Sequence, residues 1–201
     1  MRLGIFGGSF DPPHVGHFLA AVDAGERLAL DRIVLVPAAL QPLKATSGPA
    51  EGRDRLEMVR LMAADDPRFS VDPIEIDRAG LSYTVDTLVD FERRHPDAER
   101  YFLVGADALL TFAQWREPGR VLRLARLVVL RRTVEGDAES GGDGLLEIAV
   151  AAGAEPPVVL DTRRVDVSST EVRARVRAGK SIRGFVPDAV AAYIERTRLY
   201  R

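Results

Sequence analysis

The chain has 201 residues, of which 46% are hydrophobic, enough for one sizeable core. Its 28 basic and 30 acidic residues give a net charge of -2, without the basic excess of a duplex-binding protein, so no nucleic-acid partner is expected. With no cysteine, disulfides, thiolate metal sites and cysteine nucleophiles are excluded.

The first apolar run, residues 3–6, ends in Gly7-Gly8 and is too short for a signal peptide. From Val15 the pattern turns helical, with Val15, Phe18, Leu19 and Val22 on one face. Residues 33–36 read as a strand closed by Pro37, and a Pro-, Ala- and Gly-rich loop follows to about Pro49. Leu56, Val59, Leu61 and Met62 mark a second helix, and residues 69–76 read as a strand. Val85, Leu88, Val89 and Phe91 mark a third helix ending near His95-Pro96. Residues 101–104 form a buried strand ending in Gly105, and residues 127–130 another. Residues 135–144 read as an acidic, Gly-rich loop. Residues 158–160 and 165–167 suggest a last strand region, and helices follow around 172–176 and 190–193.

Strand–helix alternation predicts an α/β fold, a Rossmann-like, doubly wound parallel sheet with helices on both faces, as a single domain over 1–201. No segment is long and apolar enough to span a bilayer, so the expectation is a soluble, cytoplasmic protein with no membrane partner. Oligomeric state, a homo-oligomer included, is left open. In such sheets ligands bind beyond the carboxyl ends of the strands, near the switch in strand order. Chemistry is therefore sought after Phe6, Val104 and Val167.

The segment Gly7-Gly8-Ser9-Phe10-Asp11-Pro12-Pro13-His14-Val15-Gly16-His17 leaves a strand and opens a helix. Glycines admit close backbone approach, and a helix start offers amides and a positive dipole end, which together favour an anion. Two of the three histidines fall here, adding donors that can carry charge near neutral pH. Neither a Gly-x-Gly-x-x-Gly fingerprint nor a P-loop is present. Metal binding by the pair alone is disfavoured, because no third ligand of matching spacing accompanies it. The second cluster, Ser168-Ser169-Thr170-Glu171-Val172-Arg173, stands at another strand-to-helix junction. Ser168 and Glu171 have capping-box spacing; the further hydroxyls and the guanidinium suit phosphate oxygens.

The first segment resembles the Gly-Ser/Thr-Phe-Asp-Pro-x-His-x-Gly-His signature of the nucleotidyltransferase superfamily, matching at Gly8, Ser9, Phe10, Asp11, Pro12, His14, Gly16 and His17. The second resembles that superfamily's Ile-Ser-Ser-Thr-x-Ile-Arg element. Between them, Ser82-Tyr83-Thr84-Val85-Asp86-Thr87-Leu88, Gly105-Ala106-Asp107 and Trp115 resemble the nicotinate-nucleotide adenylyltransferases. Each also has a plain structural role available, as helix cap, turn or packed ring. Pro42-Leu43-Lys44 resembles that family's Pro-Pro-His-Lys loop, with Gln41 and Leu43 departing from it.

The resemblance implies adenylyl transfer from ATP to nicotinate mononucleotide, forming deamido-NAD and pyrophosphate, with Mg²⁺ accompanying ATP. It places ATP on Gly7, Gly8, Ser9, Phe10, His14, Gly16, His17, Gly105, Asp107, Ser168, Ser169, Thr170 and Arg173. His14, His17 and Arg173 become the catalytic set, and Lys44, Tyr83, Thr84 and Trp115 hold the pyridine substrate. No metal-ligating side chain is expected, since phosphate and water supply most Mg²⁺ ligands. Three rivals share part of the pattern: a phosphopantetheine adenylyltransferase, an enzyme preferring nicotinamide mononucleotide, and a non-catalytic nucleotide sensor.

Overall fold

Six parallel strands lie in the order β3-β2-β1-β4-β5-β6 in a computed structural model of the chain. Residues 1–40, 50–64, 66–132 and 143–201 are described. The strands are β1 (Arg2–Gly8), β2 (Arg32–Pro37), β3 (Phe69–Val71), β4 (Glu99–Gly105), β5 (Arg126–Arg132) and β6 (Val158–Thr162). The helices are α1 (Val15–Arg27), α2 (Gly52–Ala63), α3 (Ile74–Arg78), α4 (Thr84–Arg94), α5 (Pro118–Leu124), α6 (Asp143–Ala151), α7 (Ser169–Arg177) and α8 (Asp188–Thr197). A 3-10 helix, Ala106–Gln114, follows β4.

Alternation along the central strands explains the two-faced core. Leu35, Tyr101, Leu103 and Val128 face one side, with α1, α2, α7 and α8 packed over them. Leu3, Ile5, Val34, Phe102 and Val129 face the other, covered by α4, α5 and α6. Apolar side chains at both parities give the near-continuous hydrophobic runs of a sheet buried on both faces. Leu103, at 0% exposure, sits in its middle. Truncating such a leucine to alanine costs about 2–5 kcal/mol.

Several sequence expectations shift. The strand expected over 69–76 stops at Val71, and Ile74–Arg78 is helical. The periodicity was too short to separate a strand from a turn of helix. Residues 165–167 form no strand, and β6 ends at Thr162. In α1 the fully buried face is Ala21, Asp23, Ala24 and Gly25, while Phe18 and Val22 pack at its margin. A Cβ on Gly25 would stand 3.0 Å from Ile33 Cδ1, so small residues there set a close approach of helix to sheet. The 3-10 helix, α5 and α6 were not foreseen. The expected loop up to Pro49 and most of that over 135–144 lie outside the described residues. Among the described residues, no helix is long and apolar enough to cross a membrane.

Strand order reverses between β1 and β4, which are hydrogen-bonded neighbours from Arg2↔Glu99 to Phe6↔Leu103. A crevice opens where adjacent strands send their following segments to opposite faces. The carboxyl ends of both strands, Gly8 and Gly105, lie at that crevice.

Candidate active site

A cavity of about 450 Å³ occupies the crevice. Its wall gathers residues from three distant stretches: Gly7, Gly8, Ser9, Phe10, His14, Gly16 and His17 after β1; Tyr83, Thr84 and Thr87 at the start of α4; and Gly105, Asp107, Thr111 and Trp115 after β4. The first motif and the pyridine-site candidates thus share one space. Lys44 lies outside the described residues.

The histidine pair is built into the start of α1. His14 is the extended N-cap and His17 the third helical residue. The His14 amide donates to His17 Nδ1 at 3.2 Å. An Nδ1 that accepts leaves the imidazole proton on Nε2, and so fixes which nitrogen can donate. The two rings stack with centroids 3.7 Å apart, and Phe10 meets His17 edge-on at 5.1 Å. Gly16 is required by this packing, because a Cβ there would lie 3.0 Å from the His14 ring. The amide of Val15 is committed to the Phe185 carbonyl at 3.0 Å, so the helix start offers fewer open amides than the sequence suggested.

The loop ahead of the pair is held by groups that sequence inspection passed over. Arg55, from α2, is 5% exposed and donates to the carbonyls of Ser9 at 2.8 Å, Ala38 at 2.6 Å and Ala39 at 3.0 Å. Its burial pulls the guanidinium pKa down, and the charge of Asp11 pushes it back up. Asp11 is itself buried and accepts a 2.6 Å hydrogen bond from the hydroxyl of Tyr200, beyond α8. Burial first, then the bond to Asp11, pushes the Tyr200 phenol far above the ordinary tyrosine range. Phe10, wholly buried with φ of 49°, sits in the left-handed region; for a bulky residue that is strain which the surrounding clamps must hold. Arg55 had a sequence signal, a charge beside the apolar stripe of Leu56, Val59 and Met62. Tyr200 had none.

The second motif docks onto the first. Ser169 Oγ donates to the Pro12 carbonyl at 2.8 Å, and Arg173 donates to the Asp11 carbonyl at 2.7 Å and to Thr170 Oγ1 at 3.1 Å. Ser168 is the N-cap of α7, its Oγ accepting from the Glu171 amide at 3.1 Å, as the spacing suggested. None of Ser168, Ser169, Thr170 and Arg173 lines the cavity wall itself. Ser169 and Arg173 support the His14–His17 loop from outside, while Ser168 and Thr170 are exposed to solvent.

At the other end, Tyr83 is the N-cap of α4 and makes no side-chain cap bond; neither Ser82 nor Thr84 is the cap. Gly105 caps the 3-10 helix, and Asp107 lies exposed in its first turn without a capping bond. A Cβ on Gly105 would meet nothing within 4 Å, so the strand end stays open toward the cavity. Trp115 packs against Phe112 and Phe102 at 5.1 and 6.2 Å, which leaves the indole fixed in the cavity wall. Arg116 lies 4.9 Å over the Tyr83 ring and 3.3 Å from Asp86. Among the described residues, no group of three or more His, Asp or Glu is placed to hold a metal ion.

A model of the cytidylyltransferase-like family matches residues 5–175. A protein of Gemmatimonas aurantiaca named "Probable nicotinate-nucleotide adenylyltransferase" is 52% identical over 201 residues, covering 100% of this chain and 93% of its own. A Thermus thermophilus protein of the same name is 46% identical and covers 100% of both. Among solved structures, the nicotinic acid mononucleotide adenylyltransferase of Plasmodium falciparum, complexed with NaAD, superposes with a TM-score of 0.74 at 18% identity, over 99% of this chain and 97% of its own. That likeness concerns the fold alone, while the sequence relatives extend over the whole chain with the motifs described. The chain belongs to the nicotinate-nucleotide adenylyltransferase family, within the cytidylyltransferase-like superfamily.

Proposed function

We propose that the β1–β4 cavity binds ATP, with its Mg²⁺, beside nicotinate mononucleotide, and that the chain transfers the adenylyl group from one to the other. The products are deamido-NAD and pyrophosphate. One observation carries this reading: the His14–His17 loop, the start of α4 and Trp115 line a single cavity at the reversal of strand order. We assign the reaction to residues 1–201 acting as one domain, in the cytoplasm where ATP is supplied.

An oxygen of the substrate's 5'-phosphate attacks the α-phosphorus of ATP, and the bond to the β-phosphate oxygen breaks. That phosphate is already ionised at pH 7, so neither a protein base nor a protein nucleophile is needed. Catalysis is positioning and charge stabilisation along an in-line path. The Nε2–H of His17 and the His14 ring meet the triphosphate, with Gly7 to Phe10 and Gly16 giving the close backbone surface. Arg173, through the Asp11 carbonyl, and Ser169, through that of Pro12, hold the loop that presents them, with Thr170 steadying Arg173 and Ser168 capping the helix start beneath it. Gly105 and Asp107 border the nucleoside end. Trp115 offers its face to the pyridine ring, and the amides at Tyr83 and Thr84 its carboxylate. The family works with a divalent cation; phosphate oxygens and water supply most of its ligands here, as suits Mg²⁺. Asp107 is the exposed carboxylate in the cavity wall, whereas Asp11 is occupied by Tyr200.

Pyrophosphate release with nicotinate mononucleotide, nicotinamide mononucleotide and phosphopantetheine as acceptors tests the reading. A strong preference for nicotinate mononucleotide is expected. Preference for phosphopantetheine would sink the roles given to Thr84 and Trp115, and turnover with none would leave only nucleotide binding.

A further inference from the structure

An acidic residue that the transfer reaction does not use lies in the cavity wall near Tyr83 and Thr84. Glu75, in α3, is 7% exposed and borders the cavity. Thr87 donates to its Oε1 at 2.6 Å. Ser82 is held from behind: its Oγ accepts from the Ala39 amide at 2.9 Å, and its own amide donates to the Leu40 carbonyl at 2.8 Å. A set of hydrogen bonds therefore ties Ser82 to the segment after β2 and Thr87 of α4 to Glu75. It grips Tyr83 and Thr84 from both sides in sequence, one anchor before them and one after.

We infer that Glu75 is a positioning residue for recognition of the acceptor's ring carboxylate, fixing the Ser82–Thr84 backbone so that its amides meet a planar anion. This rests on the nicotinate reading above. An ionised carboxylate only accepts, so the Thr87 hydroxyl that meets it must donate and is held in one orientation. The Thr87 donor blunts its charge, which would otherwise repel an anionic ligand close by. In Glu75→Gln the volume is kept, but the charged acceptor of the Thr87 hydroxyl becomes a neutral amide, so the bond that anchors the first turn of α4 weakens and the backbone before it loosens. Trp115 and the His14–His17 loop sit on other elements and keep their places.

Steady-state kinetics of the wild type, Glu75→Gln and Thr87→Val, with nicotinate and nicotinamide mononucleotide at saturating ATP, test this. Loss of a hydrogen bond to a charged group predicts that Glu75→Gln raises KM for nicotinate mononucleotide about tenfold. The KM for ATP and kcat stay within about twofold, because the phosphate-binding loop is untouched. The KM for nicotinamide mononucleotide changes much less, so discrimination between the two acceptors falls about as much as nicotinate affinity. Thr87→Val, which removes that donor at equal volume, moves discrimination the same way. Discrimination unchanged in both variants would overturn the inference, as would tighter nicotinate binding, which would make Glu75 a repulsive charge. Wild-type preference for nicotinate that survives both substitutions refutes the inference alone. A wild type with no such preference refutes the acceptor reading and the inference with it.

Discussion

Tyr200→Phe removes one oxygen and no ring volume, which makes it a clean probe of how the phosphate-binding loop is held. The hydroxyl donates to Asp11 Oδ1 at 2.6 Å, and Tyr200 and Asp11 are 7% and 3% exposed. A hydrogen bond to a charged group contributes about 1.5–3 kcal/mol, and the variant leaves the buried carboxyl one donor short. In a chain of this size each kcal/mol moves the midpoint by about 2–4 °C, so Tm should fall by about 3–12 °C. Urea unfolding of the wild type, Tyr200→Phe, Asp11→Asn and the double variant gives the coupling directly. Against the neutral asparagine the same substitution should cost about 1 kcal/mol or less. Alkaline pH supplies a second reading. Burial and Asp11 raise the phenol's pKa in the folded chain, while the unfolded chain ionises it near the ordinary value of about 10. The contribution is therefore complete below about pH 10 and falls above it by about 1.4 kcal/mol per pH unit, a decline that Tyr200→Phe flattens. A cost below about 0.5 kcal/mol, or equal costs with Asp11 and with asparagine, would refute the reasoning.

Other outcomes follow from the same geometry. His17→Ala should lower kcat by about a hundredfold or more, as loss of one transition-state donor does, with little change in KM for nicotinate mononucleotide; near wild-type turnover would remove His17 from the mechanism. Gly16→Ala should lower turnover severalfold with Tm nearly kept, because its Cβ would press on the His14 ring from 3.0 Å; undiminished turnover would show that the ring's place is unimportant. Burial raises the Glu75 pKa above its unfolded value, so its contribution to stability is present below about pH 4 and is lost as pH rises through the folded value. Unfolding free energies from pH 4 to 7 should then decline less in Glu75→Gln than in the wild type, and parallel curves would contradict this. Asp23 behaves oppositely: despite its burial, hydrogen bonds from Arg163 lower its pKa. The difference in stability between wild type and Asp23→Asn should be full above about pH 4 and shrink as pH falls further.

Much of this site could be read in the sequence because phosphate chemistry leaves dense local patterns. The segment from Gly7 to His17 carries its glycines, prolines and histidines within one turn, and β1 before it is apolar at both parities. Trp115 and the Tyr83-Thr84 pair were identifiable only by resemblance, since caps and packed rings use the same residues. What stayed hidden were the long-range clamps. Arg55 meets Ser9 across 46 positions, Tyr200 meets Asp11 across 189, and Arg163 meets Asp23 across 140. No local periodicity encodes such pairs; they exist only once β1 lies beside β4 and α8 returns over the sheet. The short α3 was lost for another reason. Its five residues are fewer than two helical turns, so Ile74 and Ile76 mimic the alternation of a strand. In a strand with Ile74 and Ile76 turned inward Glu75 would face solvent, whereas the fold buries it at the cavity.

The most direct measurement follows labelled phosphorus from ATP through a single turnover with nicotinate mononucleotide. Adenylyl transfer predicts that label at the α-position appears in the dinucleotide and label at the γ-position in pyrophosphate, with none retained on the protein. Label from the γ-position in the mononucleotide, or α-label bound covalently to the chain, would contradict the account.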